Sequence, residues 1–177
     1  MIRKINGIFI IAGTLIMAYV MALSGKSLKT PETSLGIIHL EFAYTKQKVN
    51  AVLDTWSFPG TNNIDNISVA IQNTWFDFIF LFFYSLFLFY ACRSISTAFN
   101  GLLHKAGKLM AAGSLYAGLF DIAENAGMLI SLNGYTSNLI AFLTVSFSAI
   151  KWILVLAALS FILITGPVYL FKFLKRK

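Results

Sequence analysis

Long apolar runs separated by short polar segments dominate the pattern of the chain. The runs cover about residues 5–23, 70–92, 109–132 and 139–165. Each approaches or exceeds the roughly 20 apolar residues that a helix needs to cross a hydrocarbon core of about 30 Å. The runs are continuously apolar and lack the alternating polarity of barrel strands. The pattern predicts an all-α integral membrane protein, with a four-helix transmembrane bundle forming a single membrane domain over residues 1–177.

A different periodicity marks residues 34–56, between the first two runs. Apolar residues recur there at helical spacing, namely Leu35, Ile38, Phe42, Val49, Val52, Leu53 and Trp56. The opposite side carries polar residues such as Lys46 and Asp54. This pattern predicts an outer amphipathic helix, or two short ones, lying flat on the outer membrane surface or capping the bundle. Residues 58–63, which include Pro59 and Gly60, predict a loop.

The first apolar run has two interpretations. Arg3 and Lys4 precede it and the small residues Ala22 and Ser24 stand at its end, as in a secretory signal peptide. Its length equally fits a membrane span. We expect the run to be retained as the first span.

Composition and charge agree with a membrane location and indicate an orientation. Only 12% of the residues are charged, whereas about a quarter are charged in soluble domains. Most of the 14 Lys and Arg residues fall in the N-terminal segment, the predicted 93–108 loop and the tail beyond Gly166-Pro167, where the last span is expected to end. Cations concentrate in cytoplasmic loops. The N- and C-termini are therefore predicted to be cytoplasmic, in a bacterial inner (plasma) membrane, and the net charge of +7 requires no nucleic acid.

Ionisable residues interrupt three of the apolar runs. They are Asp77, Asp121, Glu124 and Lys151, with the polar Asn125 beside them. Such residues cost about 2.5–3.5 kcal/mol each at the centre of a membrane helix, so they should face the bundle interior and have partners. On the third run, small and polar residues recur every four positions, namely Gly113, Ala117, Asp121 and Asn125. Asp121 and Lys151 match in depth at about 1.5 Å per residue, which predicts an ion pair.

Three acids and one lysine leave an excess of negative charge in these runs. If Lys151 pairs with Asp121, Glu124 has no obvious cation, and Asp77 lies at a comparable depth. We therefore expect Glu124 to bond to Asp77 or Asn125, and at least one carboxyl to be protonated or to bind a cation. Glu41 could join this cluster if the amphipathic segment caps the bundle.

Several kinds of chemistry lack the residues they require. A single cysteine, Cys92, excludes paired-cysteine redox chemistry. The only histidines, His39 and His104, fall on opposite sides of the predicted membrane, so no transition-metal site is expected. The sequence contains no Gly-rich phosphate loop and no hydrolase motif. We predict no metal and no cofactor, and no residue is assigned a catalytic role.

Three classes of function fit these observations. The first is a binding or transport module that holds a proton, a cation or a small amphipathic ligand within the bundle. Its candidate residues are Asp77, Asp121, Glu124, Asn125, Lys151 and Glu41. The second is a membrane enzyme acting on a lipid or isoprenoid, with Asp121 or Glu124 as general acid or base. The third is a non-catalytic structural or assembly subunit. Membrane lipid is the expected surrounding, and a homo-oligomer or a membrane-complex partner would fit each class.

Overall fold

The described part of the chain is mainly helical. A computed structural model describes residues 2–57 and 65–175; helices account for 84% of the residues, and these two ranges contain no strand. The helices are α1 (Ile2–Ser24), α2 (Ile38–Glu41), α3 (Lys46–Ser57), α4 (Asn66–Ser96), α5 (Gly101–Leu132) and α6 (Asn138–Leu174), with a 3-10 turn at Lys26–Leu28. The all-α fold is confirmed. The predicted loop at 58–63 lies outside the described residues.

Three of the helices are long and apolar enough to cross a membrane. They are α1 over Gly7–Ser24, α4 over Asn66–Ser96 and α6 over Asn138–Phe171. The 32 residues of α5 extend about 48 Å, but the polar cluster residues make this helix less apolar. It packs against both α4 and α6, which bury its polar side chains. The chain is thus suited to a membrane, and a fourth span through α5 stays a prediction.

The helices extend beyond the predicted runs at their ends. Only residues 97–100 separate α4 from α5, so the predicted polar loop at 93–108 is mostly helical. The predicted end of the last span at Gly166-Pro167 does not end the helix, because α6 continues through Pro167 to Leu174. Proline is tolerated within membrane helices where neighbouring groups satisfy the freed backbone.

The segment between α1 and α4 forms two short helices that cover one end of the long helices. Residues of α2 and α3, including Leu40, Val49 and Trp56, pack in one core with residues of α4, α5 and α6. Trp56 Nε1 donates hydrogen bonds to the carbonyl of Leu28 and to Thr33 Oγ1, both at 3.2 Å. Of the two predicted placements of this segment, flat on the membrane surface or capping the long helices, the structure shows the second.

Helix α1 lies at the periphery and packs mainly against α4. None of its Gly7–Ser24 residues is buried. Its last turn is held by Asn73 Nδ2, which donates to the carbonyl of Met21 at 3.1 Å and to Ser24 Oγ at 2.7 Å. Helices α1 and α6 do not pack closely against each other, and a space remains between them.

Candidate functional site

Lys151 stands at the centre of a buried ionic cluster. Its Nζ lies 2.7 Å from Glu124 Oε2, 3.2 Å from Asp121 Oδ1 and 3.6 Å from Glu41 Oε2. All four residues are buried. Three acids from α2 and α5 therefore share one cation of α6. Removing these charges from water costs free energy, and their mutual attraction offsets that cost only when the charged atoms lie close together.

The structure changes the predicted assignment of Glu124. The predicted ion pair of Asp121 with Lys151 is present, but the prediction that Glu124 lacks a cation is wrong, since Glu124 is the acid closest to Lys151. Glu124 follows Asp121 by one turn and has a longer side chain, so both reach the same ammonium. Axial rise gives depth along a helix but not the reach of a side chain.

Asp77 bonds to Asn125 and not to Glu124. Asn125 Nδ2 donates to Asp77 Oδ2 at 3.0 Å. Within the described residues, neither carboxyl oxygen of Glu124 accepts a hydrogen bond of regular geometry. The predicted bond from Glu124 to Asp77 or Asn125 is therefore wrong. Asn125 comes one residue after Glu124 and projects about 100° further around α5, toward α4.

Glu41 enters the cluster from the capping segment. Its Oε2 accepts hydrogen bonds from Ser148 Oγ at 3.2 Å and from Trp152 Nε1 at 3.1 Å, in addition to the contact with Lys151. Glu41 is the last residue of α2, so the cap places it over the first half of α6. The cluster thus links the cap to the long helices.

Two aromatic residues of the site were not predicted. Tyr84 Oη donates to Asp121 Oδ2 at 2.6 Å, and Trp152 bonds to Glu41. Both resemble ordinary apolar residues of a membrane helix. The spacing of seven residues from Asp77 to Tyr84 puts the two on one face of α4. This spacing was the sequence signal that could have identified Tyr84.

A cavity of about 400 Å³ adjoins the cluster. It lies between α1 and α6, with α4 forming a wall along its length. Such a volume is in the range of about 300–1,000 Å³ found for small-molecule sites. The polar and charged lining residues are Thr14, Glu41, Asn73, Thr74, Asp77, Tyr84, Asp121, Lys151 and Trp152. The apolar ones are Met21, Ile37, Ile38, Phe80, Phe87, Leu88, Met128, Val155 and Leu159.

The surface of the cavity is mostly apolar, and charged and polar groups contribute a small part of it. Along α4 the lining changes from Asp77 near the cap to Leu88, and along α6 it changes from Lys151 to Leu159. On α1 and α5 the order is reversed, because Met21 and Met128 lie nearer the capped end than Thr14 and Asp121. A molecule with a polar head and an apolar body would find both environments in one space.

The predicted candidates divide into two groups around this cavity. Asp77, Asp121, Lys151 and Glu41 line it, whereas Glu124 and Asn125 do not and are fully buried. Glu124 and Asn125 therefore contact the lining residues from the side away from the cavity. Within the described ranges, no group of three or more His, Cys, Asp or Glu residues is arranged to hold a metal ion.

Comparison with known proteins gives no relative for this chain. No family model, no curated protein and no solved structure matches it.

Proposed function

We propose that the chain is a membrane-embedded binding module for a small amphipathic molecule. The observation that carries the proposal is a mostly apolar cavity of about 400 Å³ that the ionic cluster borders. Asp77 and Leu88, which both line it, lie about 17 Å apart along α4, at a rise of about 1.5 Å per residue. The head of the ligand would meet the ionic cluster, and its tail would meet the apolar surface of the cavity.

The position of α1 suggests the route into the cavity. Thr14 and Met21 of this peripheral helix form part of the lining, and α6 contributes the residues opposite. A molecule dissolved in the bilayer would pass between α1 and α6 without crossing an aqueous phase. Lateral entry suits a ligand that partitions into lipid.

The other two classes of function receive less support from this geometry. A purely structural role for the cluster fits closed packing, but Asp77, Asp121, Lys151 and Glu41 border an open space. For an enzyme, Glu124 is shut off from the cavity, and Asp121 already accepts bonds from Tyr84 and Lys151. Binding requires only what the cavity offers, so it is the simpler function.

We also propose that α5 crosses the membrane with α1, α4 and α6, and that both termini are cytoplasmic. The cap touches the start of α6 through a hydrogen bond from Lys46 N to Asn138 Oδ1 at 2.8 Å. At the opposite end, Gly107 of α5 lies against Ser96 of α4 and Phe161 of α6. The ends of the long helices thus alternate, as four antiparallel passes through a bilayer require. The predominance of cations at the uncapped end supports a bacterial inner membrane with that end inside.

Fluorescence quenching of Trp152 in nanodiscs would test ligand binding. Trp152 lines the cavity, Trp56 is fully buried, and Trp75 is 58% exposed and would contact lipid. The protein would carry Trp75→Phe to remove the lipid-facing signal. The probe is 4-bromobenzyl alcohol, whose bromine stays close to the hydroxyl head, and therefore to Trp152, and quenches indole fluorescence. We expect saturable quenching, and Trp152→Phe should abolish it.

A matched pair of substitutions on α1 separates cavity binding from partition into lipid. Thr14→Phe adds a ring at the cavity wall, whereas Leu15→Phe adds one at a position that is 66% exposed and outside the lining. We expect Thr14→Phe to weaken saturable quenching strongly and Leu15→Phe to preserve it. Quenching that rises linearly with the probe in every variant would refute the proposal.

A further inference from the structure

We infer that the cavity selects a ligand with a positively charged ammonium head, and that Asp77 is the residue that recognises it. This inference rests on the proposed binding function and names the class of ligand. It depends on the charges around the cavity, the partners of Asp77 and the aromatic rings beside it.

The balance of charge favours a cation. Glu41, Asp77, Asp121 and Glu124 place four carboxyl groups around the single ammonium of Lys151. Three of these carboxyls lie within 4.0 Å of Lys151 Nζ, and an ammonium has only three hydrogens to donate. Lys151 therefore has no donor to spare for a carboxylate or phosphate head. An anionic head would meet acids that repel it.

Asp77 is the acid that lacks a cation. Among the residues that the structure describes, it forms no ion pair within 4.0 Å, and its one hydrogen bond comes from the neutral amide of Asn125. Asp77 is only 9% exposed, yet it lines the cavity. An ionised carboxylate accepts several hydrogen bonds. An ammonium head in the cavity would supply the missing donors and the missing positive charge.

Aromatic rings line the same part of the cavity. Phe80 and Tyr84 follow Asp77 by about one and two turns of α4, and Trp152 of α6 also lines the space, with Lys151 Nζ 5.6 Å from the centroid of its ring. Aromatic faces attract cations, and the attraction strengthens when water is excluded. The rings add a preference for a cation that a neutral head would not gain.

Three probes with the same bromophenyl ring and different heads would test the inference. They are 4-bromobenzylamine, 4-bromobenzyl alcohol and 4-bromobenzoate, measured by Trp152 quenching in Trp75→Phe protein in phosphatidylcholine nanodiscs. Thr14→Phe protein gives the partition of each probe into lipid. We expect the amine to bind about tenfold tighter than the alcohol, since a hydrogen bond to a charged group is the stronger one. The carboxylate should bind most weakly.

Substitutions at Asp77 identify the residue responsible. Asp77→Asn should remove the preference for the amine and retain binding of the alcohol. Asp77→Glu keeps the charge and should keep the preference. Asp54→Asn changes an exposed acid of α3 and should change neither affinity. If Asp77→Asn does not fold, the order of the three affinities on the otherwise unchanged protein, together with Asp77→Glu, still decides whether the cavity prefers an ammonium head.

The outcomes separate the inference from the proposed function. Equal affinity for amine and alcohol, or tighter binding of the carboxylate, would overturn the ammonium class and leave the binding function intact. An amine preference that survives in folded Asp77→Asn would overturn the role of Asp77. Absence of saturable binding by all three probes would overturn both proposals.

Discussion

Lys151 is the cation that three acids share in the ionic cluster, and this makes it a sensitive position for stability. Replacing it by Met would leave Glu124, Asp121 and Glu41 buried without their cation. Removing one partner of a buried ion pair lowers stability by about 3–5 kcal/mol. We expect Lys151→Met to lower the free energy of unfolding in detergent micelles by about this amount. Lys105→Met, at an exposed lysine, should have little effect.

A double-mutant cycle tests which acid depends on Lys151. Glu124→Gln combined with Lys151→Met removes both members of the closest pair, so the double variant should lose less stability than the sum of the two single variants. Additive effects would show that the two groups do not interact, and would contradict the 2.7 Å contact.

The residues of the cluster could be predicted better than their pairing. Buried ionisable residues in apolar runs had to face inward, and this reasoning found Asp77, Asp121, Glu124 and Lys151. Glu41 could be identified as a candidate because apolar residues flank it in the sequence. Tyr84 was missed because its hydroxyl matters only once Asp121 is beside it, and that proximity depends on the rotation of α4 against α5. A single sequence does not contain that rotation.

At the scale of elements, small residues determine how closely α4, α5 and α6 approach. A Cβ atom at Gly107 would lie 2.6 Å from Ser96 Cβ and 2.7 Å from Phe161 Cζ, whereas one at Gly113 would meet only Leu154 Cδ2 at 3.5 Å. Gly107→Ala should therefore destabilise the fold by about 1–3 kcal/mol. Gly113→Ala should be neutral or stabilise it by up to about 1 kcal/mol through helix propensity. Equal effects in thermal unfolding would contradict this packing.

The start of α4 depends on Asp65, which lies outside the apolar helix. Asp65 Oδ1 accepts from the Ile67 amide at 3.1 Å, and the Ser68 hydroxyl donates to Asp65 as well. The Ser68 bond lowers the pKa of Asp65 below its ordinary value. Asp65→Ala should cost about 1 kcal/mol at neutral pH.

The pH dependence of this cap follows from the direction of the shift. A lowered pKa in the folded state contributes stability above the unfolded pKa, and that contribution is lost as the pH falls through the folded pKa. The stability difference between wild type and Asp65→Ala should therefore shrink below about pH 3.9. Asp65→Asn retains an acceptor that does not titrate, so its difference from Asp65→Ala should change little with pH. If the stability difference between wild type and Asp65→Ala stayed constant with pH, an ionised Asp65 cap would be excluded.

The existence of the helices could be predicted from the sequence, but several ends could not. Continuous apolar runs identified α1, α4 and α6, and helical periodicity identified the cap. The end of the last span was placed at Gly166-Pro167 because proline disfavours a helix interior, whereas α6 continues through the exposed Pro167. The division of the cap into α2 and α3 depends on contacts with the long helices, which local periodicity does not specify.

At the scale of the whole molecule, the crossing of α5 decides the topology. Leu102 precedes α5's apolar part and Tyr135 follows its end, and they are 82% and 73% exposed. In intact bacterial cells, a membrane-impermeant maleimide should label Tyr135→Cys at once and Leu102→Cys only after permeabilisation. Cys92→Ser would serve as the cysteine-free parent. Labelling of both positions from the same side would show that α5 does not cross.

Photo-cross-linking tests the central claim, that an amphipathic molecule occupies the cavity, most directly. An undecanol carrying a diazirine near the end of its tail would be photolysed with the protein in nanodiscs, and the adducts mapped by mass spectrometry. We expect adducts near Leu88 and Val155, which line the cavity, and excess unlabelled undecanol should suppress them. Adducts at Leu163 and Ile164, each 74% exposed, should persist because they report lipid contact. Adducts only at the exposed positions, or equal suppression at both, would contradict binding in the cavity.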